Sequence, residues 1–288
     1  MDYLIQSYIT TFCLGIGSMI SLYNLGVSIK YYFSRNYGKI SDMFRIICNY
    51  SILWQFALLF GYYAAPSQVS LMECQALGYL YVIGKTVFRV AFAAYLLWRL
   101  RQMEKKRKDS VIGPSLLAIM IILSIFSIIF IKPQVFQDSD PGPSPIYFCD
   151  YDDNQPTNII SWCSIIIDFL IYAYVTIRFI QILRHNSNQI VSETSNEPSE
   201  QTNSRVKLIN WSLILASLSF LLVWFEFLDN QSDVMGSSLL VFVLKTLTFT
   251  VLSFVITVNN EIRPTNEVPV IRTVPENNGS ENKEETTV

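Results

Sequence analysis

YLIQSYITTFCLGIGSMISLYNLGVSI, the stretch from Tyr3 to Ile29, contains no charged side chain. About 20 mostly apolar residues in a helix cross the hydrocarbon core of a bilayer, and this run is long enough to do so. It follows Met1-Asp2, has no basic segment in front of it, and its apolar run is longer than that of a cleavable signal. The expectation is an anchor that keeps the N-terminus outside.

The rest of the chain repeats the pattern. Ile46 to Met72, Ser110 to Ile131 and Leu208 to Phe225 are also free of charge. Three further stretches are as apolar but carry ionisable groups: Gly78 to Trp98 holds Lys85 and Arg89, Asn158 to Ile177 holds Asp168, and Val234 to Asn260 holds Lys245. Charged residues make up only 15% of the 288, against about a quarter in soluble domains. The fold class expected is an all-α seven-helix transmembrane bundle over residues 1–258, with spans near 3–29, 46–65, 74–98, 111–131, 158–182, 208–228 and 236–258. Residues 186–204, rich in Ser, Asn, Glu and Thr, read as a flexible loop, and 259–288 as a disordered tail. All the prolines lie outside the spans or at their edges, Pro114 included, so continuous helices are expected, with Gly15 and Gly17 as the candidates for a kink.

Basic residues sort to one side. Lys30, Arg35, Lys39 and Arg45 follow the first span, Arg99, Arg101, Lys105, Lys106, Arg107 and Lys108 the third, and Arg178, Arg184, Arg205 and Lys207 the fifth. The opposite connections carry Asp138, Asp140, Asp150, Asp152, Asp153, Asp229 and Asp233 with one basic residue, Lys132. Short Lys/Arg-rich connections stay in the cytosol, which puts the N-terminus outside and the C-terminus in the cytosol. Asn230-Gln231-Ser232 is then a glycosylation sequon on the outer face. Asn49 and Asn210 also head sequons but sit in or beside spans and are expected to be silent. Thr286-Thr287-Val288 fits the C-terminal pattern captured by strand-adding PDZ domains.

Of the five cysteines, Cys13, Cys48 and Cys163 lie within spans and read as packing residues. Cys74 stands at the outer mouth of span three and Cys149 between spans four and five, both facing the oxidising side. Here the chain resembles the G-protein-coupled receptors. That resemblance implies a Cys74–Cys149 disulfide; two free thiols are the alternative. It also implies a role in cytosolic coupling for Arg99, which follows Cys74 by 25 positions in Trp98-Arg99-Leu100, with Arg101 beside it. The acidic and tyrosine neighbours of the family's arginine motif are changed, and positive-inside sorting alone also places an arginine here. In span seven, Lys245 followed by Asn259-Asn260-Glu261-Ile262-Arg263 resembles the opsins, which admits retinal on Lys245. The family's Asn-Pro-x-x-Tyr element is replaced by Val251-Leu252-Ser253-Phe254-Val255, and Trp224 has no proline after it.

Ionisable residues inside a span are functional-site hypotheses. Lys85 and Arg89 share a face of span three, one turn apart, with Lys85 about 16 Å along the helix from Cys74. With Asp168, Glu226, Lys245 and Tyr81 they form the candidate ligand site. Three readings stay open: a self-neutralising ion-pair network, a cavity with surplus positive charge for an anionic small molecule, and a retinal Schiff base on Lys245 with Glu226 or Asp168 as counterion. Tyr79, Trp162 and Trp224 either line such a cavity or form an interfacial belt.

The single histidine, His185, leaves no metal cluster and no Ser–His pair inside the bundle. A lone deep aspartate, Asp168, does not make an aspartyl protease, and no phosphate-cradling glycine loop or CxxC pair is present. No enzyme activity, metal, nucleic acid or resident cofactor is expected. A transporter or channel would use the buried charges, but no internal repeat and no mid-span proline supports one. Microbial rhodopsins carry an aspartate where this chain has Val241. The sequence therefore reads as a receptor-like protein at the plasma membrane, sensing an extracellular ligand and signalling to the cytosol, with a G protein as one candidate partner.

Overall fold

The computed structural model describes residues 3–34, 39–64, 71–103, 109–130, 133–137, 147–151, 155–192, 200–231 and 235–258. Long apolar runs become helices because hydrocarbon offers no partner to a backbone N–H or C=O, so each span satisfies its own ladder. The helices are α1 (Tyr3–Ser34), α2 (Lys39–Ala64), α3 (Leu71–Met103), α4 (Asp109–Phe130), α5 (Gln155–Ser192), α6 (Glu200–Gln231) and α7 (Met235–Val258). All seven are long and apolar enough to cross a membrane. Their outward faces carry large apolar side chains, among them Phe12, Met19, Tyr23, Ile122, Phe126, Ile129 and Leu247. So much exposed apolar surface would drive association in water; in a bilayer it meets acyl chains.

Sequence neighbours pack side by side, and α7 closes the ring on α1. Inside it, α2 meets α7 and α3 meets α5. α3 is the central post: 44% of its span is buried, against 17% for α4 at the periphery. Phe88, Phe92, Tyr95, Leu96 and Leu100 make its buried stripe. α1 is unbroken through Gly15 and Gly17, which serve packing rather than a kink. A methyl group on Gly17 would stand 2.8 Å from the Phe56 ring, and one on Gly84 2.6 Å from Trp54. Small residues let membrane helices approach closely in this way. Pro114 lies inside α4 without ending it.

Two features differ from expectation. α5 continues to Ser192 and α6 begins at Glu200, so much of the presumed loop 186–204 is helical. No Gly or Pro interrupts His185 to Ser192, and Pro198 falls in the interval between the helices. With 38 residues, α5 is about 57 Å long, well beyond the ~30 Å hydrocarbon core. Between α4 and α5, β1 (Pro133–Gln137) and β2 (Tyr147–Tyr151) pair antiparallel, with Val135 opposite Cys149, and this hairpin packs on α3. Its Val, Phe and Tyr content suits strands, a signal masked in the sequence by the surrounding Pro and Asp.

The cysteines divide between free thiols and one bonded sulfur. Among the described side chains no two cysteines stand at bonding distance, and Cys13, Cys48 and Cys163 are free thiols. The side chain of Cys149 lies outside the described residues. Cys74 is disulfide-bonded, so its sulfur partner is not one of the described side chains, and the Cys74–Cys149 bridge is not a contact between described residues. Also outside are Lys105, Lys106, Arg107, Lys108, the side chain of Asn230 in the last turn of α6, and the tail 259–288 with Val288.

Candidate functional site

α3 positions Lys85 and Arg89 one turn apart, facing the centre of the bundle. From α5, Asp168 accepts from Arg89 Nε at 2.7 Å and from Arg89 Nη2. From α6, Glu226 Oε1 stands 3.2 Å from Lys85 Nζ. Lys245, half-buried on α7, is near enough to Glu226 for their charges to interact. Of the sequence-derived set, Lys85, Arg89, Asp168 and Glu226 line one central cavity, and Lys245 and Tyr81 do not. Tyr81 is half-buried one turn before Lys85.

The two pairs are not equivalent. The Arg89 and Asp168 side chains are 16% and 4% exposed, whereas Lys85 keeps 30% exposure and Glu226 12%. Arg89–Asp168 ties α3 to α5, helices that also pack directly. Lys85–Glu226 spans from α3 to α6, whose own close packing is with α5 and α7. Between the pairs lies a cavity of about 20 Å³, lined by both of them together with Phe88, Tyr172, Leu222, Val223 and Phe249. One water needs about 10–15 Å³ measured in this way, so the closed site has room for a water and not for a drug-sized molecule. Asp168 Oδ1 is buried there without a hydrogen-bond partner.

An aromatic layer underlies the charges. Phe88 and Phe92 stack at 5.6 Å, Phe249 meets Phe88 edge-on at 5.2 Å, and Tyr172 meets Phe92 at 6.1 Å. Phe56 of α2 closes the layer against Phe249 at 6.3 Å. Sequence reasoning missed this layer although a signal was present. Lys85, Arg89, Asp168 and Lys245 are each followed three or four positions on by an aromatic residue (Phe88, Phe92, Tyr172, Phe249), and that spacing repeats one helix face.

Beyond the aromatic rings stands a second polar tier, also missed. Asn49 Nδ2 donates to Ser28 Oγ at 2.9 Å and to Thr257 Oγ1 at 3.1 Å. Asn49 Oδ1 accepts from Ser253 Oγ at 2.8 Å, and Ser253 Oγ accepts from Asn24 Nδ2 at 2.9 Å. The network joins α1, α2 and α7 and is fully buried. In the sequence Asn49 stands out only as the head of a sequon; in the structure it is buried and its amide is given over to this network.

The proposed coupling arginines separate. Arg99 is buried, its guanidinium 5.1 Å from the centre of the Tyr95 ring, while Arg101 is exposed. Near the same end of the bundle Arg178 grips Asp109 with two bonds, at 3.0 and 2.7 Å, and Tyr174 donates to the same carboxylate. This fork pins the start of α4 to α5.

No protein-family model and no curated protein matches the chain. The class its structure defines is a seven-helix, all-α bundle that spans the membrane.

Proposed function

We propose that the protein is a receptor-type signal transducer of the plasma membrane, without enzyme activity, with its N-terminus outside and its tail in the cytosol. The observation that carries this is the placement of two unlike devices on one helix. Near its middle α3 holds α6 through the partly exposed Lys85–Glu226 pair. Toward its C-terminal end it holds Arg99 covered over Tyr95. A ligand that binds an arrangement with α6 released more tightly than the closed one shifts the population toward it. Uncovering Arg99 beside Arg101 then alters the cytosolic face presented to a partner, for which a G protein is the class the family resemblance suggests. Val288 adds a tail anchor for a PDZ-type partner.

The competing readings find less support. A transport path would have to pass the layer formed by Phe56, Phe88, Phe92, Tyr172 and Phe249. A retinal on Lys245 with Glu226 or Asp168 as counterion would need far more room than the cavity of about 20 Å³ beside those two carboxylates.

Distance measurements between spin labels test the proposal. With Cys13, Cys48 and Cys163 replaced by alanine, labels on Arg101→Cys of α3 and Arg205→Cys of α6 are expected to move apart by several ångström when Lys85→Ala cuts the α3–α6 tie. Identical distance distributions with and without Lys85 would sink the receptor reading. A C-terminal epitope reached by antibody only after cells are permeabilised is the expected outcome for orientation.

A further inference from the structure

We propose that the ligand class is a small carboxylate, and that its carboxylate takes the place of Glu226 at Lys85. This rests on the receptor reading of the same site and adds the chemistry of the exchange.

Four observations lead there. Among the described residues the tier holds three cations, Lys85, Arg89 and Lys245, against two carboxylates, Asp168 and Glu226. Surplus positive charge in a membrane interior favours an incoming anion. Of the two pairs, only Lys85–Glu226 is open to exchange. Lys85 is the most exposed of the four side chains in the two pairs, and its ammonium holds Glu226 at 3.2 Å. The Arg89 fork is already engaged by Asp168 through two nitrogens in a more buried position. Group type follows from this. An ammonium on a flexible stem is a point-charge donor that accepts one carboxylate for another, and the group Lys85 already holds is the Glu226 carboxylate. Size follows from the cavity: the space of about 20 Å³ beside the pair holds no more than a water, so the incoming carboxylate takes the room that Glu226 gives up and the body of the ligand stays on the Tyr81 side of Lys85.

The exchange conserves charge. The incoming carboxylate replaces Glu226 at Lys85, and Glu226 retains Lys245 as a neighbouring cation. No buried ion is stripped of opposite charge, so release of α6 avoids the penalty of an unpaired group. A neutral ligand would have to break the pair without replacement.

Acetate is the probe. Thermal unfolding of the full chain in detergent micelles at neutral pH is followed against sodium acetate, with sodium chloride at equal ionic strength as the reference. Glu226→Gln keeps the side-chain volume and frees Lys85. Its melting temperature is expected to rise with acetate and not with chloride, with a half-effect at a concentration at least tenfold below that of the native chain. Lys85→Ala should abolish the response. Equal half-effects in the native chain and Glu226→Gln, or a response that survives Lys85→Ala, would overturn the proposal. If Glu226→Gln does not fold, reductive methylation of Lys85 in the native chain serves instead, read by mass spectrometry. Acetate slowing it more than chloride supports the exchange, and equal rates overturn it. The two readings fail separately. Lys85-dependent acetate binding with an unchanged Arg101–Arg205 distance sinks the receptor reading alone. A distance change in Lys85→Ala without any acetate response in Glu226→Gln sinks the exchange alone.

Discussion

The two polar tiers on either side of the aromatic layer lie inside the same membrane-spanning bundle, yet are built on opposite plans. The charged tier joins α3 to α5 and α6 through two ion pairs, leaves Asp168 Oδ1 without a hydrogen bond and keeps a cavity of about 20 Å³. The amide and hydroxyl tier joins α1, α2 and α7 through neutral groups, with Asn49 using both of its polar atoms. A neutral hydrogen bond between membrane helices contributes about 0.6 kcal/mol on average, whereas removing one partner of a buried ion pair costs about 3–5 kcal/mol. The stronger tier is nevertheless the exchangeable one, because another ion can take over a charge pair one for one. The neutral network is held by the fit of several small groups at once, and no single incoming group replaces that fit. Helices α1, α2 and α7 are therefore fastened, while α6 is held by a removable tie.

The largest effect that can break this comparison is expected at Asp168. Asp168→Ala leaves Arg89 buried without its carboxylate and should cost about 3–5 kcal/mol, read as a large drop in melting temperature in micelles. Replacing both partners, Arg89→Leu with Asp168→Leu, should recover most of the loss; if it recovers none, the pair is more than a compensated charge. Lys85→Ala should cost less than Asp168→Ala, because Lys85 is partly exposed and Glu226 keeps Lys245 nearby. An equal loss would remove the distinction between a fixed and an exchangeable pair. Asn49→Ala deletes three hydrogen bonds and should cost about 2 kcal/mol at that average value, while leaving the acetate response of Glu226→Gln intact. A lost response would show the tiers to be coupled through the aromatic layer. Asn24→Ala, which removes only the bond to Ser253, should be the mildest, about 0.6 kcal/mol.

Much of the candidate site was legible in advance because ionisable groups are rare in spans: Lys85, Arg89, Asp168, Glu226 and Lys245 stand out against an apolar background. Tyr81, expected at the site, lies outside the cavity, and Tyr172, which carries no charge to mark it, lines it. Tyr81 and Lys85, like Tyr172 and Asp168, share a helix face one turn apart; height along the bundle, not facing, puts Tyr172 at the cavity and leaves Tyr81 outside it. Asn24, Asn49, Ser253 and Thr257 were passed over because uncharged polar residues are common enough in spans to carry no signal singly. Only their convergence from three helices makes a network.

By itself the sequence determined the seven spans and the all-α class, because hydrocarbon requires each apolar run to satisfy its own backbone. It also determined which side chains carry charge into the membrane. The tertiary structure alone decided how those charges pair, that Arg89 takes Asp168 while Lys85 takes Glu226, and that the space between them is the size of a water. It likewise decided that Arg99 lies covered over Tyr95 while Arg101 is exposed, and that the connection after α4 folds as a hairpin. Pairing and cavity size depend on the rotation and separation of helices far apart in the chain, which no local pattern encodes.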